Sequence, residues 1–277
     1  MICIHHNDLD GRCAAAIVRK YCGGSVVFHE ADYKDAAPLG KIAGENVVIV
    51  DFSYKPSDML NIVELANSVI WIDHHATAKD YPYQYLSGLR NFNDKEKAGC
   101  ELTWEYYLPD EPMPRAVSLI GDYDKWKLQY APTCFQFYEG MKLLDSTPDA
   151  LCWPSLLFND DLVSEIVASG INAIRYRDNY CSGLCKSFGY ETKIDGNKAY
   201  ACNMFMFGSG GFGERFTQYP LCLAYIHDGK RFTVSLYSET VDVGAIAKAY
   251  GGGGHKGAAG FVCNSLPFYK DNKVKEP

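Results

Sequence analysis

In Val69-Ile70-Trp71-Ile72-Asp73-His74-His75 an apolar run ends in an acid and a pair of imidazoles. The same arrangement recurs at Val47-Val48-Ile49-Val50-Asp51 and at Ile2-Cys3-Ile4-His5-His6-Asn7-Asp8-Leu9-Asp10, and Val26-Val27-Phe28 is a further apolar run. These runs are short, β-branched and bounded by polar residues, the pattern of strands buried on both faces. Between them, residues 11–21 are rich in alanine. Residues 56–66 open with Ser57 and Asp58 and carry Leu60, Val63 and Ala66, so both segments read as helices. Alternating strand and helix predicts an α/β fold on a parallel sheet.

Further along, residues 99–108 and 115–120 read as helices, and residues 160–188 carry helical apolar spacing at Leu162, Ile166, Ile171 and Ile174. The expected organisation is a parallel-sheet domain over residues 1–150, a helical connector over 151–190 and a smaller mixed-sheet α/β domain over 191–277. In the last, strands are predicted over 198–204, 221–226, 231–237 and 259–263, with a turn at Asp228-Gly229 and a helix over 243–250. The tail after Lys270 is expected to fray.

The 277 residues are 47% apolar and 22% charged, with 27 Lys+Arg against 34 Asp+Glu for a net charge of −7. That composition excludes intrinsic disorder over most of the chain. No apolar run approaches the roughly 20 residues that span a bilayer, and the opening residues lack the basic region of a signal peptide. The expectation is a cytoplasmic protein without a membrane partner. Eleven cysteines, odd in number and scattered, read as reduced and buried thiols. Cys181 and Cys185 lack a matching second pair, so structural zinc is not expected. The acidic balance argues against a broad surface for long nucleic acid and leaves room for a short phosphorylated ligand. Oligomeric state stays open, with a homodimer among the readings.

In an open parallel sheet, ligands bind outside the carboxyl ends of the strands. Asp8, Asp10, Asp51, Asp73, His74 and His75 should therefore converge, joined by Asp122 at the end of the apolar residues 117–121. A single Asp at a strand end is ordinarily a helix cap or turn former. Three successive strand ends with the same chemistry point instead to a metal, since clustered carboxylates repel one another without a cation. Carboxylates and imidazoles without thiolate suit Mn²⁺. The groups exceed what one ion needs, so two ions roughly 3.5–4 Å apart, sharing a bridging carboxylate, are expected to drive phosphate-ester hydrolysis.

These residues carry a resemblance. Asp73-His74-His75 is similar to the triplet that names the DHH phosphoesterases. His6-Asn7-Asp8-Leu9-Asp10-Gly11 resembles their first motif, Asp51 their second and Asp122 their fourth. Gly251-Gly252-Gly253-Gly254-His255-Lys256-Gly257-Ala258-Ala259-Gly260 resembles the signature of the DHHA1 domain. Ile72-Asp73-His74-His75-Ala76-Thr77-Ala78 and Asp122-Tyr123-Asp124-Lys125-Trp126 look most like the nano-RNase branch, which degrades short oligoribonucleotides. The resemblance implies a DHH catalytic domain and a DHHA1 substrate-binding domain, with substrate clamped in the intervening cleft. It implies Mn²⁺ as the cofactor, two ions, with Mg²⁺ or Co²⁺ as substitutes. His6, Asp8, Asp10, Asp51, His74 and Asp122 would be ligands, with Asp51 bridging and His5 competing with His6 for the first position. Asp73 and His75 would orient ligands or face the transition state.

Glycines 252, 253 and 254 let backbone amides approach a phosphate, and His255 can donate to it. Where many DHHA1 domains carry an arginine, this chain reads Ser235-Leu236-Tyr237-Ser238. Tyr237 can stack on a base or donate one hydrogen bond but cannot form a guanidinium fork, so Lys256 or Arg215 would supply the charge. Trp126 is also placed for base stacking. Gly208-Ser209-Gly210-Gly211-Phe212-Gly213 fits a dinucleotide fingerprint but lies outside a βαβ unit, and dinucleotide-cofactor binding is disfavoured. The expected activity is a Mn²⁺-dependent phosphodiesterase acting on short oligoribonucleotides or dinucleotides. A phosphomonoesterase on 3′-phosphoadenosine 5′-phosphate, a pyrophosphate-type hydrolase and a non-enzymatic nucleotide-binding module are the alternatives.

Overall fold

The structure is a computed structural model that describes residues 1–93 and 96–270, so the expectation for the tail after Lys270 falls outside the described residues. Two compact units, Met1–Ala173 and Ile174–Pro277, make up the chain, and the division falls inside the stretch expected as a connector. The first unit runs β1 (Ile2–His6), α1 (Leu9–Cys22), β2 (Val27–Ala31), α2 (Leu39–Ile42), β3 (Asn46–Val50), α3 (Pro56–Leu65), β4 (Ser68–Ile72), α4 (Gly99–Tyr107), α5 (Arg115–Asp124), α6 (Thr133–Met141) and α7 (Cys152–Leu156). Helix α8 (Asp161–Phe188) carries the division. The second unit continues with β5 (Tyr190–Ile194), β6 (Asn197–Asn203), α9 (Arg215–Gln218), β7 (Leu221–His227), β8 (Phe232–Tyr237), α10 (Val243–Ala249), β9 (Gly253–Gly254) and β10 (Ala258–Cys263).

Strands β1 to β4 form a parallel sheet in the order β2-β1-β3-β4. Alternation along the strands sorts their side chains onto two faces. Cys3, Val48, Val50 and Ile72 join one cluster with Ala14, Ile17 and Phe137, while Ile2, Ile4, Val47, Ile49 and Trp71 join another with Met59 and Ile62. Helices thus cover both faces, which leaves the strand ends as the place where polar groups gather. The expectation of burial on both faces holds for β1 and β3 and fails for β2. An edge strand has one neighbour, and Val27 is 61% exposed.

The second unit holds a mixed sheet in the order β5-β6-β7-β8-β10-β9, in which only β6 and β7 pair in parallel. Strand β5 has no counterpart among the predicted elements. It forms a hairpin with β6 through Asp195-Gly196, both at positive φ. Helix α5 runs to Asp124, past its predicted end at residue 120. All eleven cysteines are free, and eight of them are buried. Among the described residues, no helix is long and apolar enough to cross a membrane.

Candidate metal centre

Because β1, β3 and β4 run parallel, their carboxyl ends deliver His6, Asp51 and Asp73-His74-His75 to one edge of the sheet. Asp8 caps α1. Its Oδ1 accepts from the Gly11 amide at 2.9 Å, and its Oδ2 lies 2.8 Å from His6 Nδ1. Asp10, in the first turn of α1, is received by the N-terminus of α4, where the Gly99 and Cys100 amides donate to its two oxygens at 2.7 and 2.8 Å. A helix N-terminus favours such a negative charge. Gly99 has a second role, since a Cβ there would lie 2.4 Å from the Cβ of Asp51. Only glycine lets α4 approach so closely.

Asp51 is the centre of the arrangement. It is 1% exposed and adopts φ 54°, a left-handed conformation uncommon outside glycine. His74 Nε2 approaches its Oδ1 to 2.9 Å without hydrogen-bond alignment, and among the described residues neither carboxylate oxygen has a hydrogen-bond donor. Burial, with Asp10 and Asp8 nearby, pushes the Asp51 carboxyl well above its usual range. Burial and Asp8 likewise raise Asp10, and burial with Asp10 raises Asp124 to about 7. Asp8 differs: burial opposes its charge, yet the His6 hydrogen bond holds it at about 2. Burial lowers His74 to about 4, which keeps its imidazole neutral and able to ligate.

A buried carboxylate without donors, ringed by other acids, is costly unless a cation neutralises it. The donor set fits divalent ions. His6, Asp8 and Asp51 form one group of ligand atoms lying within 4.8 Å of one another; Asp10, His74 and Asp124 form a second, and Asp51, His74 and His75 a third. Asp51 and His74 are each shared by two groups, and none of these groups contains a cysteine. His75 is held separately. Its Nδ1 lies 2.8 Å from Asp73 Oδ1, which also accepts from the His74 and His75 amides. Burial opposes the charged form of His75, but the Asp73 hydrogen bond raises its pKa above the usual value.

The structure brings His6, Asp8, Asp10, Asp51, Asp73, His74 and His75 together and leaves out His5 and Asp122. His5 points elsewhere: its Nδ1 contacts the His6 carbonyl at 2.7 Å, and its ring meets Phe28. Asp122, expected as a ligand, has both carboxylate oxygens taken by the Gln129 and Tyr130 amides at 2.9 and 3.0 Å. Its carbonyl also accepts from Lys127 at 3.0 Å, so it folds back the loop that follows α5. Asp124 enters the cluster in its place, with Oδ2 3.6 Å from His74 Nε2. The second acid of Asp122-Tyr123-Asp124 was the available signal, and it required α5 to continue past residue 120. Lys125, also unforeseen, places Nζ 2.9 Å from His74 Nδ1.

In the second unit, Gly252, Gly253, Gly254, His255 and Lys256 belong to a hairpin rather than a free loop. Gly253 and Gly254 pair with Gly260 and Ala259, and the His255 amide donates to the Ala258 carbonyl at 2.8 Å. Tyr237 pairs with Ala258 on the other side of β10. Arg215 lies over the Tyr200 ring at 5.3 Å. The dinucleotide-like Gly208–Gly213 run contains a 3₁₀ turn, Ser209–Phe212.

Residues 1–120 match the DHH family, N-terminal domain. An uncharacterized protein of Acanthamoeba polyphaga mimivirus, R106, is 28% identical over 262 residues, covering 88% of this chain and 60% of that protein. The chain thus spans about 60% of the length of the curated relative it matches. Among solved structures, these two share the fold. The pGpG-specific phosphodiesterase PggH from Vibrio cholerae has 15% identity and a TM-score of 0.52, over 95% of this chain and 92% of that one. RecJ from Thermus thermophilus, in complex with Mn²⁺, has 16% identity and a TM-score of 0.50, over 95% of this chain and 49% of that one.

Proposed function

We propose that this chain is a divalent-metal-dependent phosphodiesterase that hydrolyses short oligoribonucleotides or dinucleotides, with two Mn²⁺ ions as its cofactor. Asp51 carries this reading: a buried carboxylate with both oxygens free of donors, at the junction of imidazole and carboxylate groups from three strand ends. His6, Asp8 and Asp51 would hold one ion, and Asp10, His74 and Asp124 the other, with Asp51 common to both. When bound, such ions lower the pKa of an attacking water and offset charge on the transferring phosphoryl group.

The chain's own residues supply the rest. The α4 amides orient Asp10 and partly offset the burial that raises its pKa. Asp73 fixes the ring of His75 through Nδ1 and favours its protonated form, so Nε2 is the atom that would donate to a phosphate oxygen or to the leaving group. Low pKa keeps His74 unprotonated while it holds metal. On the same reading the second unit is a DHHA1 domain that binds substrate, and the protein works in the cytoplasm.

Turnover of dinucleotides through pentanucleotides, a cyclic dinucleotide and 3′-phosphoadenosine 5′-phosphate, each with Mn²⁺ and with EDTA, tests the proposal. A linear dinucleotide comes first, because a pGpG-specific phosphodiesterase shares the fold. Metal-dependent cleavage of the dinucleotide supports the reading. Hydrolysis of 3′-phosphoadenosine 5′-phosphate alone replaces it with a phosphomonoesterase, and nucleotide binding without product replaces it with a binding module.

A further inference from the structure

Trp126 is the one tryptophan the fold does not bury. Trp71, Trp104 and Trp153 are 0%, 2% and 2% exposed, whereas Trp126 is 60% exposed. An indole left in water forgoes a large apolar burial, and its position gives a reason. It lies two residues beyond Asp124 and next to Lys125, whose ammonium reaches His74. Trp126 therefore follows directly on two groups of the candidate metal centre, within a single unit of the fold.

Its backbone and its neighbours hold it there. Trp126 adopts φ 50°, which a bulky side chain rarely takes, and Leu128 is left-handed as well at φ 55°. The turn is fixed by the Trp126 amide donating to the Tyr123 carbonyl at 3.0 Å and by the Asp122 carboxylate taking the Gln129 and Tyr130 amides. Tyr123 and Phe135 brace the indole at steep angles, 67° and 81°, with centroids 5.6 Å away. Tyr123 is itself stacked on Tyr138 at 3.9 Å. Among the described residues no ring lies parallel to the indole, so a flat group can still stack on it. Tyr33, the other exposed aromatic at the centre, is in contact with His6, Phe52 and His75, which puts its ring to work holding imidazoles.

We infer that Trp126 is the platform on which a nucleobase flanking the scissile phosphate stacks. This deepens the phosphodiesterase reading and rests on it for the identity of the phosphate. A rigid aromatic presented in advance lowers the ordering cost of binding, and stacking accepts any base. It thus favours nucleotide esters over base-free phosphates without selecting sequence.

Two measurements on the full chain decide it. In the first, titration with adenosine 5′-monophosphate gives saturable quenching of tryptophan fluorescence in the wild type, and Trp126→Phe loses that quenching while calorimetry still detects nucleotide. In the second, KM is compared for a dinucleotide and for its analogue with one base replaced by hydrogen. Base removal raises KM about tenfold or more in the wild type. Trp126→Phe keeps most of this penalty and Trp126→Leu loses it. Equal penalties in wild type and Trp126→Leu, a change in kcat alone, or quenching that follows protein concentration rather than nucleotide would overturn the inference. Should the wild type cleave neither substrate, the phosphodiesterase reading falls while the quenching experiment still decides the stacking.

Discussion

The strand-end edge of the first unit and the glycine hairpin of the second both carry conspicuous sequence motifs, yet the fold accounts for them unequally. In the hairpin, a Cβ on Gly252 would lie 2.0 Å from the Gly260 carbonyl oxygen, and Gly254 sits at φ 139°. Local packing alone demands those glycines. At the strand ends, the donor-free carboxylate of Asp51 and the left-handed backbone beneath it add nothing to packing and cost stability. A motif that the fold explains is weak evidence for a ligand, whereas a cost that the fold leaves uncompensated points to one.

Asp51→Asn breaks that contrast most strongly. Asparagine keeps the shape and tolerates the left-handed backbone, but removes the charge. Steady-state assays should show turnover falling about a thousandfold or more. Thermal unfolding in EDTA should show the variant more stable than the wild type, because folding no longer has to bury a carboxyl that must be charged or take up a proton. A less stable variant would mean that Asp51 has a structural partner.

Asp124→Asn and Asp122→Asn sharpen it within one turn. The first should weaken Mn²⁺ uptake and turnover about a hundredfold. The second should retain metal by calorimetry and lose about 1 kcal/mol of stability as one loop amide loses its acceptor. Gly252→Ala should destabilise the hairpin by about 1–3 kcal/mol and leave Mn²⁺ stoichiometry untouched.

The smallest effect is on pH. Asp124 has a folded pKa of about 7 in the metal-free protein, above its usual 3.8. Between those values the folded state holds a proton that the unfolded state has lost, so metal-free stability falls as pH rises through this window. Mn²⁺ must displace that proton, and its affinity should fall about tenfold per unit of pH below 7. Calorimetry in buffers of different ionisation enthalpy reads the released proton directly.

Strand ends were legible because period and polarity change together at Asp51 and Asp73, where a β-branched run stops at an acid. Asp124 was not, since helical residues two apart point in different directions and the choice between Asp122 and Asp124 depends on where α5 ends. Choosing between His5 and His6 depended on strand alternation, and the face that β1 turns toward the centre is set by tertiary packing. Gly99 looked like an ordinary helix start, because the Asp51 backbone it accommodates lies far away in sequence. Strand β5 was hidden behind a helix whose apolar spacing runs almost to it.

Anomalous diffraction at the manganese edge, from crystals soaked in Mn²⁺, locates any metal bound at Asp51. Two peaks about 3.5–4 Å apart, each bonded to a different oxygen of Asp51, are the expected result. A map with no peak beside Asp51, or with one ion held by Asp122 instead of Asp124, would contradict it.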